Sequence, residues 1–166
     1  MPKESIFTFS PIQNRENADA LQTILSDRVM LRYMDLPSWN HTEEVADLLS
    51  SCNKGLSCLL IIHRNGAPCG ITGLSYICIK HKFAYATVGI LEQYQNAGIG
   101  KKALTIAEKL AFDQLSLHRL EAQIHCDNLA SIALFEKEGY KKEGVMRENF
   151  CIEGTFFNSI LFSKLV

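Results

Sequence analysis

Gln95-Asn96-Ala97-Gly98-Ile99-Gly100 stands directly after the apolar stretch Thr87-Val88-Gly89-Ile90-Leu91 and directly before a helical pattern that runs from Lys101 to Leu115. A strand that breaks into a glycine-containing turn and restarts as a helix aims several unpaired backbone N–H groups at one spot, where the helix macrodipole also favours negative charge. The stretch therefore reads as a seat for a pyrophosphate. Its two glycines, Gly98 and Gly100, are free to take positive φ and carry no Cβ, so the turn can be tight and a ligand can approach the backbone closely.

The chain of 166 residues, 47% hydrophobic and 21% charged, is close to the average for a soluble globular protein and predicts one domain over residues 1–166. With 17 Lys and Arg against 18 Asp and Glu, the formal charge is -1. Such a chain offers no basic field for nucleic acid, so any anion has to be held locally. Cys52, Cys58, Cys69, Cys78, Cys126 and Cys151 form no C-x-x-C pair and sit mostly in apolar runs, which predicts reduced, buried thiols. His41, His63, His81, His118 and His125 show no metal-ligand spacing, so no metal is expected and each reads as a surface or satisfied histidine. No stretch approaches the ~18 apolar residues of a membrane span, and the start Met1-Pro2-Lys3-Glu4-Ser5 lacks a signal-peptide core; the expected compartment is the cytoplasm, away from membranes.

Along the chain, Ile6, Phe7 and Phe9 start a strand that Pro11 ends, and Asn14 to Ser26 has the apolar spacing of a helix. Val29 to Leu36, with Pro37 and Trp39 beyond it, is less regular, and Thr42-Glu43-Glu44 opens a second helix carrying Val45, Leu48 and Leu49. This apolar insertion either roofs a cleft or simply packs as core. Leu59 to Ile62 is a buried strand, Asn65-Gly66 a hairpin turn, Cys69 to Ile79 the returning strand, and Phe83 to Leu91 a third. Arg119 to His125 alternates Leu120, Ala122 and Ile124 against Glu121, Gln123 and His125, as a half-exposed strand should. Asp127 or Asn128 caps a helix that ends at Gly139, and Val145 to Ile152 and Phe156 to Leu165 form a last strand pair through Glu153-Gly154. The order predicts a mixed α/β sheet flanked by helices.

Asn128-Leu129-Ala130-Ser131-Ile132-Ala133-Leu134-Phe135-Glu136-Lys137-Glu138-Gly139-Tyr140 resembles the signature N-x-x-S-x-x-L-Y/F-x-K-x-G-F/Y of the GNAT superfamily, the acyl-CoA-dependent N-acetyltransferases. The turn from Gln95 to Gly100 resembles that superfamily's other hallmark, Q/R-x-x-G-x-G/A, with one helix and one strand between the two. Leu117-His118-Arg119-Leu120 and Glu143-Gly144-Val145-Met146-Arg147 look like the ribosomal-protein N-terminal acetyltransferase branch, RimJ/RimL type. The resemblance implies a single-domain GNAT-like fold, a mostly antiparallel central sheet splayed between its fourth and fifth strands, with acetyl-CoA as co-substrate in the gap. On that pattern the backbone of Ile90 and Leu91, bulged near Leu91-Glu92, pairs with pantetheine and orients the thioester. Amides of Gln95, Asn96, Ala97, Gly98, Ile99, Gly100 and Lys101 hold the pyrophosphate, Asn128 caps its helix or bonds the pantetheine arm, and Ser131 and Phe135 lie by the thioester. Divergent strands leave facing N–H and C=O groups without partners, and an extended amide chain can supply them.

Acetyl transfer needs a neutral amine, stabilisation of a developing oxyanion, and help for the leaving thiolate. A peptide α-amine of pKa about 7.7–8.0 costs ~1 kcal/mol to neutralise at pH 7, whereas a lysine-like amine near 10.4 costs ~4.6 kcal/mol. The oxyanion donor is expected at the backbone N–H of Leu91 or a neighbour. Relatives often carry tyrosine at the position of Phe135, which has no hydroxyl, so Ser131 is the expected hydrogen-bond partner of the sulfur. Glu92, next to the catalytic strand, and Glu148, near the substrate mouth, are the candidate bases, because Thr87 stands where relatives often carry glutamate. Lys101 and Lys102 either reach the 3′-phosphate of CoA or are solvated.

The expected activity is acetyl transfer to a primary amine, a protein N-terminus or a small molecule such as a polyamine or drug, by direct attack in a ternary complex. The alternative is a non-catalytic acyl-CoA-binding or regulatory module, suggested by Thr87 and Phe135. A dinucleotide-binding fold is disfavoured because Leu104 falls where a third small residue would be needed. The chain is expected to act as a monomer or homodimer.

Overall fold

The computed structural model describes residues 6–12, 17–34 and 42–166. Pro37 and Trp39, and the start of the expected first helix at Asn14, lie outside them. Seven strands, β1 (Phe7–Pro11), β2 (Cys58–Arg64), β3 (Ala67–Cys78), β4 (Phe83–Ile90), β5 (Arg119–His125), β6 (Lys141–Ile152) and β7 (Thr155–Leu165), form one sheet in the order β1-β2-β3-β4-β5-β7-β6. Helices α1 (Ala18–Ile24), α2 (Arg28–Tyr33) and α3 (Thr42–Asn53) lie between β1 and β2, α4 (Ile99–Glu108) between β4 and β5, and α5 (Leu129–Lys137) between β5 and β6. The described part of the less regular stretch after Val29 is helical as far as Tyr33, with Leu36 outside the described residues: Asp27 accepts from the N–H groups of Val29 and Met30, both at 3.0 Å, and so caps α2. The helix expected to reach Leu115 changes at Lys109 into a π-helical turn that ends at Gln114.

Two hairpins have the turn chemistry their sequences announced. Asn65 and Gly66 (φ 52° and 84°) join β2 to β3, and Glu153 and Gly154 (φ 49° and 77°) join β6 to β7. Paired left-handed residues give the backbone twist that matches the strands they connect.

Every strand neighbour is antiparallel except β4 and β5, which run parallel and pair only at Phe83 with Arg119, Ala84 with Leu120 and Tyr85 with Glu121. Past that point β4 stays in register with β3 as far as Ile90, and β5 stays in register with β7 as far as His125. The sheet is thus two intact half-sheets, joined at one end and splayed at the other, as expected between the fourth and fifth strands.

Core packing holds each half. Leu74, Ala84, Leu104, Ala107, Leu120, Phe135 and Phe162 form one buried cluster with α4 and α5, while Leu21, Ile24, Met30, Ile61, Ile71 and Leu91 form another with α1 and α2. Ile71 and Thr72, adjacent on β3, point to opposite faces. Ile71 joins the second cluster, and buried Thr72 donates its hydroxyl to the carbonyl of Ala103 at 2.7 Å, fixing α4 on the other face.

The joined end carries an ionic clamp. Arg119 Nε meets Glu121 Oε1 at 2.6 Å, its Nη1 meets Glu143 Oε1 at 2.7 Å, its Nη2 meets Glu143 Oε2, and Ser163 Oγ donates to Glu143 Oε1 at 2.6 Å. β5, β6 and β7 are tied together there. Burial first, and Glu121 second, push the Tyr85 phenol on β4 up to about 12. All six cysteines are free thiols, but only Cys69 is fully buried and Cys151 is exposed. Cys52, Cys58, Cys78 and Cys126 are half-buried, so the expectation of buried thiols holds fully only for Cys69.

The Arg119 guanidinium and the Ser163 hydroxyl hold the Glu143 carboxyl down at about 2, well below its ordinary value of 4.5. A depressed carboxylate stabilises the fold above its unfolded pKa and loses that contribution as pH falls through the folded one. Glu143→Gln should therefore melt at a lower temperature than the wild type at pH 7, with the difference closing as pH falls from 4.5 toward 2. Thermal melts across that range check it.

Candidate active site

The turn ahead of α4 is built as its sequence suggested, with a division of labour between its glycines. Gly98 takes φ 72° at the helix N-cap and offers no side chain to cap the first turn. Gly100 lies inside the helix instead, where an added Cβ would stand 3.3 Å from Leu134 Cδ2, so its role is close approach of α5. The second left-handed residue of the turn is Asn96, φ 60°. Gln95 Nε2 donates to the carbonyl of Ile90 at 3.1 Å and folds the turn back on the end of β4. Both lysines of the first turn have partners: Lys101 Nζ is 3.0 Å from Glu138, and Lys102 Nζ stands 4.3 Å over the Phe7 ring.

The α5 N-terminus lies alongside. Asn128 Oδ1 accepts from the N–H of Ser131 at 3.2 Å, so the Asn128 side chain caps its helix. Ser131 is half-buried, and Phe135 is buried with its ring edge-on to Tyr140 at 4.8 Å.

Between the half-sheets is a cavity of about 1500 Å³. That exceeds the roughly 300–1,000 Å³ of an ordinary small-molecule pocket. β4 residues from Ala86 to Ile90, β5 residues from Ala122 to His125, the turn residues Gln95, Asn96, Gly98, Ile99, Gly100 and Lys101, and Asn128, Ser131 and Phe135 line it. Met30, Tyr33, Met34 and Leu48 line it from α2, its C-cap and α3. The apolar insertion thus does both things expected of it as alternatives, since Met30 is also core.

Strand geometry decides which backbone groups face the gap. The Leu91 N–H donates to the carbonyl of Cys69 at 3.0 Å, so Leu91 points its main chain at β3. Backbone direction alternates along a strand. Val88 and Ile90 therefore turn their N–H groups to the open side. The Leu91 N–H is thus committed to β3, which leaves its neighbour Ile90 as the donor on the open side; the β3–β4 register is regular as far as Ile90, and Leu91-Glu92, where a bulge was expected, lie beyond it. Leu91 is a buried core residue, and Ala97 is exposed on the outside of the turn; neither lines the cavity.

The two expected bases also lie off the lining. Glu92 is exposed in the short helical turn Glu92–Tyr94, and its N–H donates to Asp27 at 3.4 Å. Glu148 is exposed at φ 50°, inside the register shift between Met146 and Phe150, with its N–H bonded to Asn158 Oδ1 at 2.8 Å. Thr87 does line the gap, 3.2 Å from Ser75 between the hydroxyls. The residue that sequence reasoning missed is His125, assigned to the exposed face of β5. It is buried, lines the cavity, and stacks on Phe150 with ring centroids 4.1 Å apart. Its signal was position, at the last residue of β5 just before the α5 cap.

The amides ahead of α4, the absence of an N-cap side chain, and the unpaired edge of β4 fit a diphosphate followed by an extended amide arm. Comparison with known proteins finds the same fold. Over 161 residues the chain is 23% identical to spermidine N(1)-acetyltransferase of Escherichia coli K12, covering 96% of this chain and 86% of that one. Its fold matches spermidine N-acetyltransferase of Vibrio cholerae, solved with CoA and spermine, at a TM-score of 0.84 with 19% identity over 96% of this chain and 95% of that one. It matches RimL, ribosomal L7/L12 alpha-N-protein acetyltransferase solved with coenzyme A, at 0.85 with 17% identity over 99% and 97%. The family model of the GNAT acetyltransferase domain matches residues 7–141, and with the split sheet this makes the chain a member of the GNAT acetyltransferase family.

Proposed function

We propose that this chain transfers the acetyl group of acetyl-CoA directly to a primary amine, with a peptide α-amine as its preferred acceptor, in the manner of the RimJ/RimL branch. The observation that carries the reading is the gap between β4 and β5, which has the left-handed Gly98 turn ahead of α4 at one end and an aromatic recess of Tyr33, His125 and Phe150 along its wall. Acetyl-CoA supplies the activated acetyl group. Amides of Asn96 and of Gly98 to Lys101 hold the diphosphate, the open edge of β4 at Val88 and Ile90 aligns the pantetheine arm, and the Ile90 N–H is the donor for the carbonyl oxygen. Ser131 donates a hydrogen bond to the sulfur.

A polyamine acceptor needs several free carboxylates to replace the water around its ammonium groups. Of the carboxylates that line the cavity, Asp127 is paired with Arg32 at 2.8 Å and Glu138 with Lys101 at 3.0 Å, which leaves exposed Asp47 of α3 as the one without an ion pair among those described. That balance favours an acceptor bringing one amine. Thr87 and Phe135, which supply neither carboxylate nor phenol, support the second reading, a non-catalytic acyl-CoA-binding module.

Incubation with acetyl-CoA and a panel of short peptides with free α-amines, N-blocked lysine peptides and spermidine, followed by thiol release, tests the reading. Peptide α-amines should turn over fastest; preference for spermidine would overturn the acceptor class, and tight binding without any transfer would favour the non-catalytic module. Gly98→Ala places a side chain where φ is 72°, although its Cβ meets no atom within 4 Å. The conformational penalty of about 1–2 kcal/mol should raise the acetyl-CoA Kd roughly tenfold while leaving the acceptor KM unchanged. Ser131→Ala should lower kcat about fivefold, the worth of a hydrogen bond of about 1 kcal/mol; full turnover and unchanged acetyl-CoA affinity would remove Ser131 from that role.

A further inference from the structure

Proton removal from the acceptor has no owner among the expected carboxylates, since Glu92 and Glu148 lie off the cavity. The lining does carry a buried imidazole. His125 ends β5 at the open side of the split, its side chain 3% exposed. One ring face stacks on Phe150 of β6 at 4.1 Å and 21°, Tyr33 of α2 meets it edge-on at 5.7 Å, and Phe157 of β7 stands 6.0 Å away. The ring is held on three sides and has little freedom to rotate.

We infer that His125 is the general base of this site, accepting the amine proton on Nε2. The inference rests on the acetyltransferase reading and deepens it. As the amine nitrogen forms its bond to the acetyl carbon, the carbon–sulfur bond breaks and its electron pair passes to sulfur. The surplus N–H proton moves to Nε2 of His125, which later returns it to solvent, and the sulfur takes a proton from water. The overall change is one amide and one thiol from one amine and one thioester.

The charged and titratable groups around the ring explain why it is available as a base. Nδ1 is 3.9 Å from Asp127 Oδ1, so Nε2 is the nitrogen farther from that carboxylate. Asp127 would favour a protonated ring, but its other oxygen is bonded to Arg32 at 2.8 Å, and Arg32 also lies 5.3 Å over the Tyr33 ring. Burial lowers the His125 pKa, Asp127 opposes that, and Arg32 adds to it, with the net direction downward. A neutral imidazole at pH 7 is the competent form for accepting a proton.

At saturating substrates, kcat should fall on the acid side with a midpoint below about 6.5, the unperturbed value of histidine. His125→Gln should lose at least about 100-fold in kcat, the low end of base catalysis, abolish that acid limb, and leave the acetyl-CoA Kd within about twofold. Arg32→Gln, an exposed change, frees Asp127 and should move the acid limb to higher pH. Imidazole NMR titration of the whole protein, with His125 assigned by the Gln variant, should give a midpoint below about 6.5 that rises in Arg32→Gln. A kcat flat down to about pH 5, an acid limb that stays put in Arg32→Gln, a Gln variant within threefold of wild type, or an imidazole titrating at or above about 6.5 would each overturn the assignment. The NMR titration needs no turnover, so failure of the acetyltransferase reading, seen as no transfer to any amine, is distinguishable from failure of His125 as its base.

Discussion

Three residue pairs are all that join β4 to β5, and the rest of the molecule is arranged around that short seam. Each strand is saturated on its other edge, β4 by β3 and β5 by β7. Closing the gap would require one half-sheet to shear against its own packed helices. An open strand edge inside a protein must find other partners for its N–H and C=O groups. The split therefore creates a linear array of main-chain donors and acceptors in a protected groove, and an extended amide chain is a natural complement. The Arg119 clamp fixes where the seam ends by locking β5, β6 and β7 at the paired side.

The second consequence of the split is that two helix N-termini arrive at the same opening. α4 starts where β4 stops, and α5 starts where β5 stops, because both strands run in the same direction toward the gap. Gly100 lets Leu134 come close, which sets α5 beside the turn ahead of α4. The positive ends of both macrodipoles reinforce one another there. The two carboxylates beside these helix ends, Glu138 and Asp127, are paired with Lys101 and Arg32, so they do not oppose an anionic ligand at full charge.

Local features of this arrangement were legible in the sequence. Turn pairs such as Asn65-Gly66, the strand limits Arg119 and His125, and the Asn128 cap depend on residues a few positions apart. What failed depends on neighbours distant in sequence. Ile90 and Leu91 are both apolar, and which of them turns its amide to the gap is fixed by the register against Cys69 and Gly70 of β3. His125 follows the polar phase of β5, yet α2 and the β6–β7 hairpin cover that face at the strand's end. Alternation predicts burial only while one face is solvated, and at the mouth of a split sheet neither is. α2 has no clean apolar stripe for a related reason: the residues behind its Asp27 cap serve both core and cavity.

The chemistry of the wall can be weighed against the demands of the reaction. Phe135 keeps the packing of an aromatic residue, buried and edge-on to Tyr140, while giving up any proton that a phenol there would donate to sulfur. The omission is modest in energy. A thiol of pKa about 8.5 is protonated at pH 7 with ~2 kcal/mol to spare, so water and a hydrogen bond can complete that half of the exchange. Removing a proton from the amine is the harder half, and its difficulty grows with acceptor basicity, from ~1 kcal/mol for a peptide α-amine to ~4.6 kcal/mol for a lysine-like or polyamine nitrogen. A neutral, immobilised imidazole is a weak base suited to the first case. The absent phenol, the absent carboxylate at Thr87 and the buried His125 thus bear on one point, which the acceptor proposed above meets: an amine already close to neutral at the pH of use asks least of such a wall.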